Sequence, residues 1–121
     1  MEQKLIPKAH TEARAIVQDW GELRWVAGRE LGNSDDVTVG LATIKPGLCN
    51  PRHRHPNCDE VLHLLAGTLE HTLDDERLVM HAGDTLSVRR GVFHNAKNIG
   101  DADAQLLVVF TSADRRIEHE H

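Results

Sequence analysis

Residues 51–60, PRHRHPNCDE, carry side chains whose types and spacing suit a metal site. His53 and His55 are one residue apart, so on an extended strand, where side chains alternate, both imidazoles would lie on the same face. Glu60 comes five positions after His55 and begins the next apolar run. Imidazole nitrogens and a carboxylate oxygen are donors that divalent transition metals accept. The segment therefore predicts most of a metal site.

A further donor has to come from a distant part of the chain, and His94 qualifies. It follows residues 91–93, Gly-Val-Phe, at the end of a predicted strand, where a hairpin would return it towards the first segment. If Glu60 faces inward, Leu62 and Leu64 share its face, because they follow at intervals of two. We predict these two leucines as substrate-binding residues.

Strands must position these donors, and the chain between them has strand signals. Short apolar runs alternate with turn residues from residue 23 onward, with glycine at many of the breaks. This pattern is typical of an all-β sandwich or barrel. A weak helical period is present only around residues 12–18. The predicted strands are residues 23–27, 37–44, 60–65, 68–73, 77–80, 85–88 and 105–111.

Nine residues fall into two groups with regular spacing, which are Gly47, His53, His55, Glu60 and Gly67 in the first and Gly83, Gly91, His94 and Asn98 in the second. This spacing resembles that of the two sequence motifs of the cupin superfamily. One position departs from the family pattern, because Arg89 stands where proline is usual. Proline fixes φ, so its loss is expected to loosen one turn without removing a ligand.

The resemblance implies a small antiparallel jelly-roll barrel that holds one divalent metal through three histidines and a glutamate. Carried over to this chain, the ligands are His53, His55, Glu60 and His94. The motif glycines serve turns, and Asn98 closes the loop after His94 without touching the metal. The ligand types suit Mn, Fe, Co, Ni, Cu or Zn, and geometry decides among these metals.

The length of 121 residues predicts a single domain, residues 1–121. Within it we place an N-terminal arm or edge strand over residues 1–22 and the barrel core over residues 37–111. The charged tail, residues 114–121, is predicted to fray. Aromatic residues are scarce, with two Phe, two Trp and no Tyr, so aliphatic side chains have to supply most of the packing.

Composition also bounds the partners. The net charge of -5, with both signs interspersed, argues against a nucleic-acid surface. The sequence contains no apolar run long enough to span a membrane, and no export signal is recognised. We therefore expect a cytoplasmic protein, with reduced thiols at Cys49 and Cys58. Exposed strand edges, and the cupin resemblance, predict a homodimer. The alternative is that the N-terminal arm covers the edge of its own sheet.

Other side chains near the motifs receive structural interpretations. We interpret His63 and His71 as facing away from the pocket or towards a partner subunit, and His81 as a turn residue. His119 and His121, in the tail, receive no functional role. We interpret Arg52 and Arg54 as solvated or interfacial charges. Arg89 and Arg90 are expected to be exposed, with one able to guard the pocket mouth. Trp20 and Trp25 are interpreted as core or interface residues.

The predicted function is a metal-dependent oxidoreductase, dioxygenase-like, that acts on a chelating oxygenated small molecule. A bound metal would act as a Lewis acid or activate dioxygen. Glu60 is the predicted catalytic base, and apolar walls would exclude water. Two alternatives remain: a metal-dependent isomerase or lyase, and a non-catalytic module that binds a small molecule or sugar. The fold does not decide among the three.

Overall fold

The computed structural model describes residues 7 and 13–121, and these residues form eleven β-strands. Within those ranges, no helix is long and apolar enough to span a membrane. In chain order the strands are β1 (Ala15–Gln18), β2 (Gly21–Ala27), β3 (Thr38–Ile44), β4 (His53–Arg54), β5 (Glu60–Ala66), β6 (Thr68–Leu73), β7 (Glu76–His81), β8 (Thr85–Val88), β9 (His94–Asn98), β10 (Ala104–Phe110) and β11 (Glu118–His119).

The strands form two antiparallel sheets, as the predicted jelly-roll barrel requires. One sheet has six strands in the order β1-β2-β3-β10-β5-β8, and the other has five in the order β11-β4-β9-β6-β7. Neighbours in each sheet are distant in sequence at several places, such as β10 beside β3 and β5. The prediction of an all-β jelly roll is confirmed.

The core lies between the sheets and is built from alternating side chains. In β10, Leu106, Val108 and Phe110 are buried. Gln105, one position before Leu106, faces solvent. Strand β3 follows the same period of two, and Ile44 at its end is almost fully buried. Because side chains of a strand alternate between faces, this burial pattern fixes which face of each strand points inward.

All seven predicted strands form, with ends shifted by up to two residues. The histidines, however, occupy strands that the apolar pattern did not delimit: His53 begins the two-residue strand β4. His94 begins β9, so the prediction that it follows the end of a strand was wrong. The helical period over residues 12–18 was also wrong, because Ala15–Gln18 pairs with β2 as an edge strand.

The predictions for the two terminal segments, an N-terminal arm and a frayed C-terminal tail, have different outcomes. Of the arm predicted over residues 1–22, residues 1–6 and 8–12 lie outside the described residues, and the rest includes β1 and the start of β2. The tail was predicted to fray, which was wrong. Strand β11 pairs with β4, as Glu118 opposes Arg54 and His119 opposes His53. The C-terminus is therefore fastened to the strand that carries the histidine pair.

Two motif positions serve the backbone. Gly67, between β5 and β6, has φ +96°, and a Cβ there would lie 2.9 Å from Cα of Ala104. Glycine is needed both for that conformation and for that approach. Asn98 is fully buried and donates to the carbonyls of Ile44 and Ala102, while it accepts from the Gly100 N–H. The predicted loop-closing role of Asn98 is confirmed.

Candidate metal centre

The structure brings His53, His55, Glu60 and His94 together in one buried cluster. One candidate ligand atom from each residue lies within 4.8 Å of those of the others. The ring centroids of His53 and His94 are 4.4 Å apart, and those of His53 and His55 are 5.0 Å apart. Three imidazoles and one carboxylate at this spacing form a donor set suited to a divalent transition metal.

Strand pairing explains how residues 41 positions apart meet. His53 in β4 is directly opposite His94 in β9, so both rings project from neighbouring strands of the five-stranded sheet. Glu60 begins β5 in the other sheet, where Val88 and Phe110 flank it. Glu60 therefore reaches across the interior towards the histidines, and the cluster bridges the two sheets.

Backbone carbonyls orient each of the three rings. Nδ1 of His53 lies 2.7 Å from the Pro51 carbonyl oxygen, and Nδ1 of His94 lies 3.0 Å from that of Val92. Nδ1 of His55 lies 2.8 Å from the Arg116 carbonyl oxygen. A carbonyl oxygen can only accept, so each Nδ1 carries a hydrogen, and in the neutral ring each Nε2 keeps a lone pair for another partner.

The remaining nitrogens meet the carboxylate without a donor between them. Nε2 of His94 lies 3.0 Å from Oε1 of Glu60. Nε2 of His55 lies 3.3 Å from the same oxygen, outside hydrogen-bond geometry, so among the described residues this buried nitrogen has no hydrogen-bond partner. Converging lone pairs in a buried site repel one another unless a cation lies among them. The residues present therefore fit a metal ion.

The pKa values of His53 and Glu60 favour the protonation states that bind metal. Burial lowers the pKa of His53 to about 4, so its ring is neutral at neutral pH. Burial would raise the pKa of Glu60, but a positive charge shared with His55 or His94 stabilises the carboxylate more strongly, and the pKa of Glu60 falls to about 2. A neutral imidazole and an ionised carboxylate are the forms that bind metal.

A cavity of about 320 Å³ lies beside the cluster, and its walls are mostly apolar. Leu62, next to Glu60 on the inward face of β5, lines the cavity, and its contact with substrate stays a prediction. Leu64 shares that face but lies deeper, where it is fully buried in the core and does not line the cavity. The predicted contact between Leu64 and substrate is therefore corrected, because the barrel interior is filled at that depth.

The interpretation of His71 as facing away from the pocket was wrong. His71 is 1% exposed, lines the cavity and stacks on His94, with ring centroids 5.9 Å apart and planes inclined by 12°. Neither of its ring nitrogens has a hydrogen-bond partner among the described residues. The sequence held a signal that we missed, since Leu69 and His71 are two residues apart in β6 and share the buried face.

The C-terminal segment contributes residues that sequence reasoning also missed. Arg115 and His119 line the cavity, and the ring of His119 lies 6.2 Å from that of His53. Trp20 and Trp25, interpreted as core or interface residues, pack against the core and line the cavity as well. No local pattern indicated that Arg115 and His119 line the cavity, because the tail returns to β4 through a long-range strand pairing.

The outward residues follow the predictions. His63 faces away from the cavity and bonds Thr85 on the neighbouring strand. Arg52 pairs with Glu120 and Arg54 pairs with Glu118, so both arginines hold β11 from the outer side. Arg89 and Arg90 are exposed, as predicted. Cys49 and Cys58 are free thiols, Cys58 within the core.

Comparison with known proteins places the chain in a family. The model of the cupin domain family matches residues 40–110. Protein SchB of Streptomyces halstedii is 33% identical over 87 residues, which are 72% of this chain and 63% of that protein. Oxalate oxidase GF-3.8 of Triticum aestivum is 31% identical over 106 residues, 81% of this chain and 46% of its own. The chain thus spans less than two thirds of the length of these relatives.

Solved structures support the same fold. Oxalate decarboxylase of Bacillus subtilis superposes with a TM-score of 0.83 at 23% identity, over 91% of this chain and 30% of the decarboxylase chain. A second structure of that enzyme, solved in a study of its Mn(II) centres, gives a TM-score of 0.84 over the same shares. At this identity the likeness shows the fold alone.

Proposed function

The chain belongs to the cupin family, and from this premise we propose that it is a metal-dependent oxidoreductase, dioxygenase-like, acting on a small oxygenated molecule. One observation carries the proposal: three Nε2 lone pairs and the Glu60 carboxylate converge beside an apolar cavity without a hydrogen-bond donor among them. Such a site is organised for a cation, and the cavity next to it is large enough for a small organic molecule.

The metal would be held by His53, His55, Glu60 and His94. This donor set suits Mn, Fe, Co, Ni, Cu and Zn. When bound, such a metal supplies Lewis acidity and, for the redox-active members, electron transfer to dioxygen. The relatives support redox chemistry in the proposal, since one is an oxalate oxidase by name. Mn(II) centres are named for the structurally similar decarboxylase.

The chain itself supplies orientation, a base and the exclusion of water. The carbonyls of Pro51, Val92 and Arg116 hold the three rings with Nε2 towards the cluster. Glu60 is the base of the proposal, because its ionised carboxylate lines the cavity where a bound substrate would present a proton. Apolar side chains around the cavity keep the site dry, which strengthens the interaction of charges inside it.

Elemental analysis of the purified protein, paired with oxygen uptake, tests the proposal. After growth in metal-replete medium we expect close to one transition metal per chain and oxygen uptake with a member of a panel of diketones, catechols, flavonols and oxalate. Protein without metal would contradict the proposal. Bound metal without oxygen uptake would favour one of the two alternatives. A sugar-isomerisation screen would then distinguish a metal-dependent isomerase or lyase from a non-catalytic small-molecule-binding protein.

Assembly and location stay predictions. We propose a homodimer formed through exposed strand edges, and Val17 and Val79 are large apolar side chains at least half exposed on the outermost strands β1 and β7. Light scattering of the purified protein gives its mass, and a monomer would contradict the dimer. The cytoplasmic location is likewise a proposal, which fractionation of the source cells would test.

A further inference from the structure

Arg115 has an unusual environment among the arginines of the described chain. Six others, Arg24, Arg29, Arg52, Arg54, Arg77 and Arg90, each lie within 4.0 Å of a carboxylate oxygen. Arg14, Arg89 and Arg116 have no such partner in the described residues, but they are exposed to water. Arg115 is half-buried and lines the cavity, and among the described residues it has neither an ion pair nor a side-chain hydrogen bond.

Aromatic rings hold the guanidinium by its faces. Its Cζ lies 4.3 Å from the ring of Trp25 and 5.2 Å from the ring of Phe110. Stacking of this kind orients the planar group and leaves the N–H donors, which lie in its plane, without protein acceptors. Five donors in a fixed fork match the two oxygens of a carboxylate.

The position of Arg115 relates it to the metal cluster. Phe110 contacts both groups, because its ring centroid lies 4.8 Å from that of His55 and 5.2 Å from Cζ of Arg115. Burial lowers the pKa of Arg115, and the charge of Glu60 opposes this effect, so the two groups sense each other. They form no direct ion pair within 4.0 Å. Arg115 and the four cluster residues line the same cavity, so a small ligand in that cavity can meet both.

We propose that Arg115 anchors a carboxylate of the substrate, so that the cavity takes a small organic acid with its anionic end on Arg115 and another oxygen at the metal cluster. This inference rests on the proposed function, since it names the class of molecule bound at the same site. A neutral molecule would leave the half-buried guanidinium without an acceptor. An acid supplies the missing acceptor and the missing charge.

The test uses the 121-residue chain loaded with Zn(II), which is redox-inert and diamagnetic, and succinate as the probe. Its neutral analogue, succinamide, is the ligand control. We expect succinate to shift the Nε–H NMR signal of Arg115, and Arg115→Met to weaken succinate binding by at least about tenfold, as expected for loss of a charged hydrogen bond. Arg115→Lys keeps the charge but loses the fork, and should bind with intermediate affinity.

Arg77→Met is the matched control variant, because Arg77 lies on β7 away from the cavity and pairs with Glu70. It should bind succinate like the unmodified chain, and succinamide should not distinguish Arg115→Met from it. The inference is overturned if succinate does not bind, or if saturating succinate leaves the Arg115 signal in place. The second measurement needs no variant, so it holds even if Arg115→Met does not fold.

The failure of this inference and that of the proposed function are distinguishable, because binding to the Zn(II) form requires no turnover. Binding of succinate that depends on Arg115, with no oxygen uptake from any acid, would remove the oxidoreductase proposal and keep the anchor. Oxygen uptake with a neutral substrate, at the same rate in Arg115→Met, would keep the oxidoreductase and remove the anchor.

Discussion

The imidazole of His55 donates its Nδ1 hydrogen to the backbone carbonyl of Arg116, 2.8 Å away. These residues are 61 positions apart in the chain, and the contact joins the cluster of candidate metal ligands to the C-terminal segment. Asn57 holds that segment in place, because it donates to the Asp114 carbonyl and accepts from the Arg116 N–H. The tail is thus part of the structure that orients a candidate ligand.

Deletion of residues 115–121 should weaken metal binding. The deletion removes the carbonyl that orients His55 and the strand β11 that pairs with β4. Loss of an outer partner of a ligating histidine typically lowers metal affinity by about 10- to 100-fold. Competition with a chromogenic chelator measures this affinity. Because β11 is a two-residue edge strand, the far-ultraviolet circular dichroism of the barrel should be retained.

Two further variants make this first prediction specific. Deletion of His121 alone leaves β11 intact and should not change metal affinity. Asn57→Ala removes both hydrogen bonds to the segment but leaves the Arg116 carbonyl, so its affinity should fall by less than that of the deletion. Equal affinities for the full chain and the chain lacking residues 115–121 would show that the carbonyl has no orienting role.

His94→Ala should abolish stoichiometric metal binding while the barrel stays folded. His94 is the ligand opposite His53 in the five-stranded sheet, and no other histidine in the described chain occupies its place. We expect affinity to fall by more than about 100-fold, beyond the effect of losing an outer partner. Elemental analysis measures the stoichiometry. His63→Ala, which removes an imidazole facing away from the cavity, is the control. Unchanged metal content in His94→Ala refutes the ligand assignment.

His71→Leu should stabilise the metal-free protein. The two buried nitrogens of His71 have no hydrogen-bond partner in the described residues, and an unsatisfied buried polar group costs about 1–3 kcal/mol. Leucine fills similar space with no such cost, so the free energy of unfolding in urea should rise by about 1–2 kcal/mol. Leu69→His, on the same face of β6, should show the opposite sign. A loss of stability in His71→Leu would mean that the ring nitrogens are satisfied.

The metal-free protein should lose stability as pH falls from about 6.5 to about 4. Burial lowers the pKa of His53 and of His71 to about 4, against a value of 6.5 in the unfolded chain. In that window the unfolded chain binds protons that the folded chain does not, so folding weakens by up to about 1.4 kcal/mol per pH unit for each such histidine. Well above pH 6.5, His53 and His71 are neutral in both the folded and the unfolded chain, so this loss of stability is absent.

Urea denaturation at several pH values between 7.5 and 4.5 checks the sign and the slope. The low pKa of Glu60, about 2, adds loss of the same sign only below about pH 4.5. His71→Leu should show a shallower slope, because one of the two groups is gone. A free energy of unfolding that is flat across the window would contradict the lowered pKa values.

The sequence by itself determined the features that depend on short-range order. Alternation and turn glycines indicated an antiparallel barrel, and the spacing around residues 47–67 and 83–98 indicated four donors. Short-range order suffices there because a strand fixes the face of every second side chain, and the turn residues fix where the strand ends. The inward position of His71 was readable in the same way from Leu69, two residues before it.

Only the tertiary structure decided which distant segments meet at the site. The depth of the barrel removed Leu64 from the cavity, and the pairing of β11 with β4 brought the tail to it. Arg115 and the Arg116 carbonyl reach the cluster through that pairing, between residues more than 60 positions apart. Long-range pairing depends on the packing of the whole chain rather than on any local pattern, so no stretch of sequence near the histidines could have indicated it.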